Sequence, residues 1–255
     1  MQYSEREYIV NKIVSGISIC AYNSISVIVT EPSSIDKVRA NAIYAKEFSR
    51  AELLGVKKEE ELLDILIKNG AWTKPEEERL EKLPKEIEDV KVDIYNNFYN
   101  YKKQDGIKKT LDSLRHLEVE LVRKRETYKS STCEGIALSA KNRYLICSGT
   151  KTLEGAKFFA GDIDEYDPDS VDLFIQDYFN QKIDDSTIRE VSKHEPWRSI
   201  WTAGKYEGQI FGTPASLLSQ EQKMLIIWSR IYDSIHESPE CPPEVVLNDD
   251  DCLDG

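Results

Sequence analysis

The chain has 255 residues, of which 40% are hydrophobic, enough for a buried core in one large or two small domains. Its 46 acidic and 34 basic side chains give a formal charge of −12, which repels phosphate backbones and argues against direct nucleic-acid binding. No apolar run approaches the roughly 20 residues of a membrane helix, and the start lacks a signal-peptide pattern, so we expect synthesis in the cytoplasm and no membrane association.

Residues 1–32 carry a strand pattern. Ile17 and Ile19 alternate with polar residues, and after Asn23-Ser24 the alternation resumes with Ile25, Val27 and Val29. This pattern predicts a β-hairpin. Because a lone hairpin is marginally stable in water, its apolar face must pack on the helical body or against another chain. Its open edge could also accept a partner's strand.

Residues 33–74 change to a helical period. Ser33 or Ser34 is a suitable N-cap for a first helix that Gly55 ends, and its apolar positions are Val38, Ala42, Ala45 and Phe48. A second helix has the apolar face Leu62, Leu63, Leu66 and Ile67, and it ends at Asn69-Gly70. Thr73, followed by Pro75 and Glu76, is the predicted N-cap of the next helix.

Residues 75–130 contain two apolar stripes separated by a predicted break at Gln104-Asp105-Gly106. The first stripe is Leu80, Leu83, Ile87, Val90, Ile94, Phe98 and Tyr101; the second is Ile107, Leu111, Leu114, Leu117 and Leu121. Spacings of three and four residues are typical of a helical seam. The stripes predict an antiparallel helical hairpin about 35 to 45 Å long, with Pro84 kinking or restarting its first helix.

The second half of this hairpin is basic against an acidic background. Between Lys102 and Lys129 there are nine basic and five acidic side chains, and Arg123, Lys124 and Arg125 are adjacent. Two interpretations are open. The basic residues could bind an acidic partner, or they could form an ordinary solvated helix face with i to i+4 ion pairs.

Residues 131–236 are predicted to form a helical body. A short helix spans about 136–145, and the acidic stretch 162–169 precedes a helix through Val171, Leu173, Phe174 and Tyr178. The stretch does not fit a calcium-binding EF-hand, because Asp167 and Leu173 occupy the positions of its Gly and its Glu. We therefore expect Asp169 or Ser170 to cap the helix.

Patterns that carry catalytic chemistry are incomplete. The stretch 149–157 departs from the phosphate-binding loop in its glycine spacing and lacks the required Lys-Ser or Lys-Thr. His116, His194 and His236 are widely separated, and the five cysteines lack metal-ligand spacing, so the thiols are expected to be free. The sequence predicts a protein without enzymatic activity, metal or cofactor.

The last sixty residues are rich in tryptophan, proline and acidic side chains. Asp184 to Ser186 should cap a helix that ends near His194, after which Trp197 and Trp201 lie one turn apart. These indoles are either core residues or anchors for a partner. Ser219 begins a capping box for a helix over 217–235.

Residues 237–255 contain seven acidic side chains and no Lys or Arg, so we expect an extended segment that adheres to something basic. Such an acidic, Pro-rich stretch behaves as a connector, and we expect the natural chain to continue beyond it. The candidate partner-binding residues are Arg123, Lys124, Arg125, Trp197, Arg198, Trp201, Trp228, Tyr232, Pro239, Asp249, Asp250 and Asp251.

A resemblance to a known family rests on a series of short motifs. In chain order they are Asn69-Gly70-Ala71-Trp72, Thr132-Cys133-Glu134-Gly135, Glu195-Pro196-Trp197-Arg198-Ser199-Ile200-Trp201, Phe211-Gly212-Thr213-Pro214, Gln220-Glu221-Gln222-Lys223, Trp228-Ser229-Arg230-Ile231-Tyr232-Asp233, Glu237-Ser238-Pro239-Glu240-Cys241-Pro242 and Asp249-Asp250-Asp251-Cys252-Leu253-Asp254-Gly255. Together they resemble a family encoded by large tailed bacteriophages, over about residues 51–255. Its members are grouped with virion, tail and tail-assembly products.

The resemblance implies a virion structural protein that contacts other phage structural proteins, in multiple copies, in the tail, baseplate, neck or capsid. A tail assembly chaperone that binds a tape-measure or tail subunit is the alternative, and a cytosolic phage enzyme is a third. The expected fold is mainly α: an N-terminal β-hairpin on a helical body, a long antiparallel helical hairpin and an acidic extension. Its segments are residues 1–32, 33–74, 75–130, 131–236 and 237–255.

Overall fold

The computed structural model describes residues 1–161, 163–206 and 210–254. The chain is mainly helical with a small antiparallel sheet, which confirms the predicted fold class. The strands are β1 (Ile17–Tyr22), β2 (Ile25–Thr30) and β3 (Thr150–Lys151). The helices are α1 (Tyr3–Ser15), α2 (Ser34–Leu53), α3 (Glu59–Lys68), α4 (Lys74–Asn96), α5 (Tyr101–Lys129), α6 (Cys133–Ser148), α7 (Pro168–Asn180), α8 (Asp185–Lys193), α9 (Trp197–Gly204), α10 (Gln220–Glu237), α11 (Glu244–Leu247) and α12 (Asp250–Leu253).

The chain divides into two compact units, each assembled from separate stretches of sequence. The first unit comprises Met1–Tyr44 and Ala140–Ser238, and the second comprises Ala45–Ser139 and the chain from Pro239 onward. The boundaries fall inside α2, inside α6 and directly after α10. The C-terminal residues therefore belong to the unit that contains α4 and α5.

The predicted β-hairpin is present in the first unit. Asn23 and Ser24 have φ angles of 46° and 68°, as a two-residue hairpin turn requires. The resulting register places Cys20 opposite Val27 in the core and Ile19 opposite Ile28. The prediction that Ile17 and Ile19 supply the buried face of β1 is wrong, because Ile19 is 58% exposed while Cys20 and Tyr22 are buried.

In the first unit, the helix α1 and the strand β3 were not predicted. The helix α1 precedes the hairpin and ends at Gly16, whose φ of 64° suits glycine. Its buried residues Val10 and Ile13 pack with Trp197 and Leu225, so partners far along the chain stabilise it. The strand β3 adds only two residues to the edge of β2, too few for a periodic signal.

The helix α2 begins as predicted but buries a different face. The Oγ atom of Ser33 accepts a hydrogen bond from the backbone N–H of Asp36, which makes Ser33 the residue that caps the helix. Val38, expected in the apolar face, is 70% exposed, and Ala42 and Ala45 are also exposed. The buried residues of this helix are Ala40 and Ala51, whose small side chains gave no apolar stripe to detect.

The antiparallel helical hairpin forms in the second unit from α4 and α5. Thr73 caps α4 in a reciprocal capping box with Glu76, as expected. Leu83 near the start of α4 packs in the same cluster as Leu121 near the end of α5. Further along α4, Ile87 and Ile94 pack with Leu111 and the half-buried Ile107 near the start of α5.

The turn of the hairpin lies earlier than predicted. The helix α5 begins at Tyr101, where the Asn100 side chain accepts a hydrogen bond from the backbone N–H of Lys103, and it runs through Gly106. Tyr101 is 67% exposed and is not part of the seam. Pro84 lies inside α4, which continues past it to Asn96. A glycine inside a helix costs only about 1 kcal/mol, and the long apolar seam exceeds that cost.

Three further caps position the helical body. The cap of α7 is Asp167, whose carboxylate accepts a hydrogen bond from the backbone N–H of Ser170. The prediction of Asp169 or Ser170 is therefore wrong by two or three residues. Asp184 caps α8 and Ser219 caps α10, both as expected. Of the acidic stretch 162–169, Asp162 lies outside the described residues.

Candidate partner-binding surfaces

The aromatic candidates of the C-terminal third lie in the core of the first unit. Trp197 is 0% exposed and Trp201 is 3% exposed. The indole Nε1 of Trp197 donates a hydrogen bond to Ser229 Oγ at 2.7 Å, and its ring stacks on Phe211 at a centroid distance of 5.7 Å. Tyr232 is also buried. These side chains are occupied within the chain and offer no surface to a partner.

Trp228 lies at the edge of the same core. It is half-buried, and its indole Nε1 donates to the Asp185 carboxylate at 2.8 Å. The guanidinium of Arg189 lies over the Trp228 ring, 4.1 Å from the ring centroid, which is a cation–π contact. The residue therefore joins α8 to α10 rather than projecting as an anchor.

Arg198 takes part in a polar cluster around the carboxylate of Asp233. Arg198 donates to Asp233 Oδ1, while Trp201 Nε1 and Lys205 Nζ donate to Oδ2 at 2.8 and 2.9 Å. Burial raises the pKa of Asp233, but these three donors outweigh it and hold the pKa at about 2. Since α9 and the residue directly after it, Lys205, supply the donors and α10 supplies the acceptor, the cluster ties the two helices together.

Two residues of the basic triplet on α5, which is Arg123, Lys124 and Arg125, form ion pairs with residues of α4 and α3. Lys124 forms an ion pair with Glu76 and lies over the Trp72 ring, 5.4 Å from its centroid. Arg125 pairs with Glu77 at 3.1 Å and lies 3.7 Å from Glu59. Arg123 is exposed. The acidic residues that complement this triplet therefore come largely from the chain itself.

The acidic C-terminal segment, defined as residues 239–254, is folded against the helical hairpin. Asp249 pairs with Lys108, Asp251 pairs with Arg115 at 2.6 Å, and Asp254 lies 3.5 Å from Lys91. Asp250 is half-buried as the first residue of α12, and Pro239 is exposed.

The expectation of an extended segment is wrong. Acidic composition alone predicted extension, but α4 and α5 neutralise the carboxylates and bury Val246 and Cys252. The expected basic counterpart of this segment is thus present in the same unit.

The predicted open edge of the hairpin in the first unit is partly used by the chain. The backbone N–H of Ala21 on β1 donates to Asp177 Oδ2 of α7 at 3.1 Å. The same oxygen accepts from the side-chain amide of Gln181 at 3.2 Å. A partner strand would have to displace this carboxylate to pair along β1.

An exposed group that the sequence reasoning missed lies where α4 turns into α5. We call residues 95–101 the aromatic turn: all seven are aromatic or asparagine. Tyr99 is 73% exposed, Tyr101 is 67% exposed and Tyr95 is 39% exposed. The signal was the local density of tyrosine and asparagine, a composition enriched in protein-binding loops. Phe98 and Tyr101 also fit the spacing of the apolar seam of the helical hairpin, so the sequence predicted them as buried residues.

Exposed basic residues follow the aromatic turn directly. Lys102 and Lys103 on the first turn of α5 are both exposed, against a whole-chain charge of −12. The rings of the turn also contact one another: Phe98 lies 6.2 Å from Tyr95 and 5.8 Å from Tyr99 between ring centroids. Phe98 is half-buried on the hairpin core, which fixes the base of the turn. The surface combines exposed aromatic rings with positive charge.

The described residues contain no group of three or more His, Cys, Asp or Glu side chains arranged to hold a metal ion. Burial raises the pKa of the Cys20 thiol to about 11 and that of Cys147 to about 12, the opposite of what activates a nucleophilic cysteine. In the described parts of the chain, every helix is too short or too polar to span a bilayer.

No family model, no curated protein and no solved structure matches this chain.

Proposed function

We propose that this protein is a non-enzymatic structural subunit of a tailed-bacteriophage particle, in which it contacts other structural proteins through the aromatic turn. The observation that carries the proposal is the exposure of Tyr99 and Tyr101, at 73% and 67%, where α4 turns into α5. The phage assignment itself rests on the resemblance of the sequence motifs.

Exposed tyrosines on a turn between two packed helices favour protein binding for an energetic reason. A tyrosine buries a large area with few rotatable bonds, so its ordering costs little conformational entropy when it docks. The three asparagines at 96, 97 and 100 add hydrogen-bonding groups between the rings. Isolated exposed apolar residues are common on protein surfaces, whereas a cluster of large aromatic side chains is typical of interfaces.

Long helices carry this turn. The helix α5 has 29 residues, which corresponds to about 43 Å at 1.5 Å per residue. Its seam with α4 is filled by buried Leu83, Ile87, Ile94, Leu111 and Leu121. A hairpin with this core holds its turn rigidly, and rigid presentation of a contact surface lowers the cost of binding.

The charges favour an acidic protein as the partner. Lys102 and Lys103 adjoin the exposed tyrosines and would attract carboxylates. The same lysines and aromatic rings could stack and pair with single-stranded nucleic acid, but a chain of charge −12 is repelled by phosphate backbones at long range.

The test combines quantitative mass spectrometry of purified phage particles with variants of the turn. We expect the protein in particles at a fixed stoichiometry of several copies. The double variant Tyr99→Ser and Tyr101→Ser should fold normally, because both side chains are exposed, yet it should be incorporated at least ten-fold less. Substituting the exposed Val119 of α5 by Ser is the matched control and should leave incorporation unchanged.

Detection only in infected-cell lysate and never in particles would refute the structural role and favour a transient assembly chaperone. Normal incorporation of the double variant would refute the role of the aromatic turn.

A further inference from the structure

We propose that the C-terminal segment is an exchangeable docking peptide: in an assembly, the segment of one copy occupies the groove of α4 and α5 on a second copy. This inference rests on the proposed multi-copy role, although its test does not. The occupant is defined by chemistry visible in the chain itself, an acidic segment with apolar residues at Val246 and Cys252.

The ion pairs between the segment and the groove join side chains only. Lys91 comes from α4, while Lys108 and Arg115 come from α5, and each faces a carboxylate of the segment. No strand pairing fixes the segment to the hairpin, since its regular elements are the short helices α11 and α12. A second copy presents the same carboxylates, so every one of these pairs can form between copies.

The apolar part of the contact explains why the groove needs an occupant. Val246 is 0% exposed and Cys252 is 1% exposed, and both pack with Ile94 and Leu111, which are themselves 0% exposed. Removing the segment would uncover this apolar surface and leave Lys108 and Arg115 without their carboxylates. The groove is therefore stable when filled, whether by its own segment or by that of a neighbour.

The connection to the rest of the chain favours exchange. The first unit ends at Ser238 and the segment belongs to the second unit. Between α10 and α11 the chain contains Pro239, Pro242 and Pro243, which restrict the backbone to extended conformations and provide no N–H for helix or sheet. A connection that lies outside any helix or strand can be redirected without breaking a secondary-structure element.

The balance between the two arrangements depends on concentration. Contacts within one chain and contacts between chains are identical, so their relative population follows the effective concentration of the tethered segment, of millimolar order for short linkers. In dilute solution each segment docks on its own hairpin. At the local concentrations of a particle, exchange costs little, and head-to-tail exchange generates a ring or a filament.

The first test uses the unmodified full chain. Equal amounts of ¹⁴N- and ¹⁵N-labelled protein are mixed and treated with a carbodiimide, which couples Lys108 to Asp249 and Lys91 to Asp254. We expect cross-linked peptides with mixed labels to be rare at about 5 µM and to rise to about a quarter of all cross-links near 1 mM, where about half of the segments are exchanged and half of the exchanged pairs carry unlike labels. Cross-links that stay within one label at every concentration would overturn the proposal.

The second test uses charge reversal in full chains. One variant carries Lys108→Glu and Arg115→Glu, and the other carries Asp249→Lys and Asp251→Lys, so each repels its own segment while the two complement each other. Light scattering should show a heterodimer in the mixture, and a single chain with all four changes should be monomeric when dilute. Because Asp249 also caps α12, the four-fold variant is compared with the Asp249→Lys, Asp251→Lys variant, which lacks the same cap. If the four-fold variant is the more stable of the two but the mixture stays monomeric, the segment docks without exchanging and the proposal fails.

Mixed-label cross-links from a protein that is absent from phage particles would support exchange and refute the virion role. Incorporation into particles without mixed-label cross-links would support the virion role and refute exchange.

Discussion

Replacing Asp233 by Asn should destabilise the first unit by about 2 kcal/mol at pH 7. Both carboxylate oxygens are used, Oδ1 by Arg198 and Oδ2 by Trp201 and Lys205. An asparagine keeps one acceptor oxygen, so its amide nitrogen must face donors on one side. The difference between the ordinary carboxyl pKa of 3.8 and the value of about 2 corresponds to about 2 kcal/mol of unfolding free energy.

The same reasoning predicts how the effect depends on pH. Because folding lowers the pKa of Asp233, its contribution to stability is complete above pH 3.8 and disappears as the pH falls toward about 2. Urea unfolding followed by tryptophan fluorescence, at pH 7, 5, 4 and 3, measures the difference between the wild type and Asp233→Asn. We expect a constant difference from pH 7 to 5 and a smaller one at pH 3.

The matched control is Glu237→Gln. Glu237 lies 4.0 Å from the same lysine, Lys205, but its side chain is 74% exposed, so the substitution should change stability by less than about 0.5 kcal/mol. Equal effects of the two substitutions would contradict a specific role for the Asp233 cluster. If the destabilisation caused by Asp233→Asn does not decrease at low pH, the contribution of Asp233 to stability is not electrostatic.

Three further predictions concern packing and reactivity. Gly106→Ala should stabilise the chain by about 0.5 to 1 kcal/mol in thermal unfolding, since the space around this helical site is open. Gly135→Ala should destabilise the chain, because the new Cβ would lie 2.1 Å from the Lys129 carbonyl oxygen. Trp197→Ala should cost about 3 to 5 kcal/mol in urea unfolding, and a loss below 1 kcal/mol would contradict its place in the core. In the folded protein at pH 8, Cys241 alone should react rapidly with a thiol reagent, since the other four cysteines are buried; a second fast thiol would contradict this.

The sequence determined features that depend on neighbouring residues. Thr73 and Ser219 were correctly predicted as caps, because a capping box is complete within four residues. The helical hairpin followed from the spacing of its leucines and isoleucines. The turn lies earlier than predicted because α5 tolerates Gly106 in its interior and begins at the asparagine cap Asn100.

The partner-binding candidates could be judged only by their surroundings. Whether Trp197 is core or surface depends on Ser229 and Phe211, which are distant in sequence. The aromatic turn, in contrast, was visible in the composition of residues 95–101, but its exposure was not. Exposure is a property of the whole packing arrangement, which a single stretch of sequence does not contain.

Local periodicity and capping chemistry thus determined the hairpin strands and the long helices, since both act over a few residues, whereas α1, β3, α11 and α12 were not predicted. Tertiary structure decided which face of β1 is buried, because the hairpin register sets Cys20 opposite Val27. It also decided the state of the acidic C-terminal segment, whose charge alone predicted an extended chain. Lys108 and Arg115 neutralise that charge from more than 130 residues away, and a pairing over that distance depends on the fold.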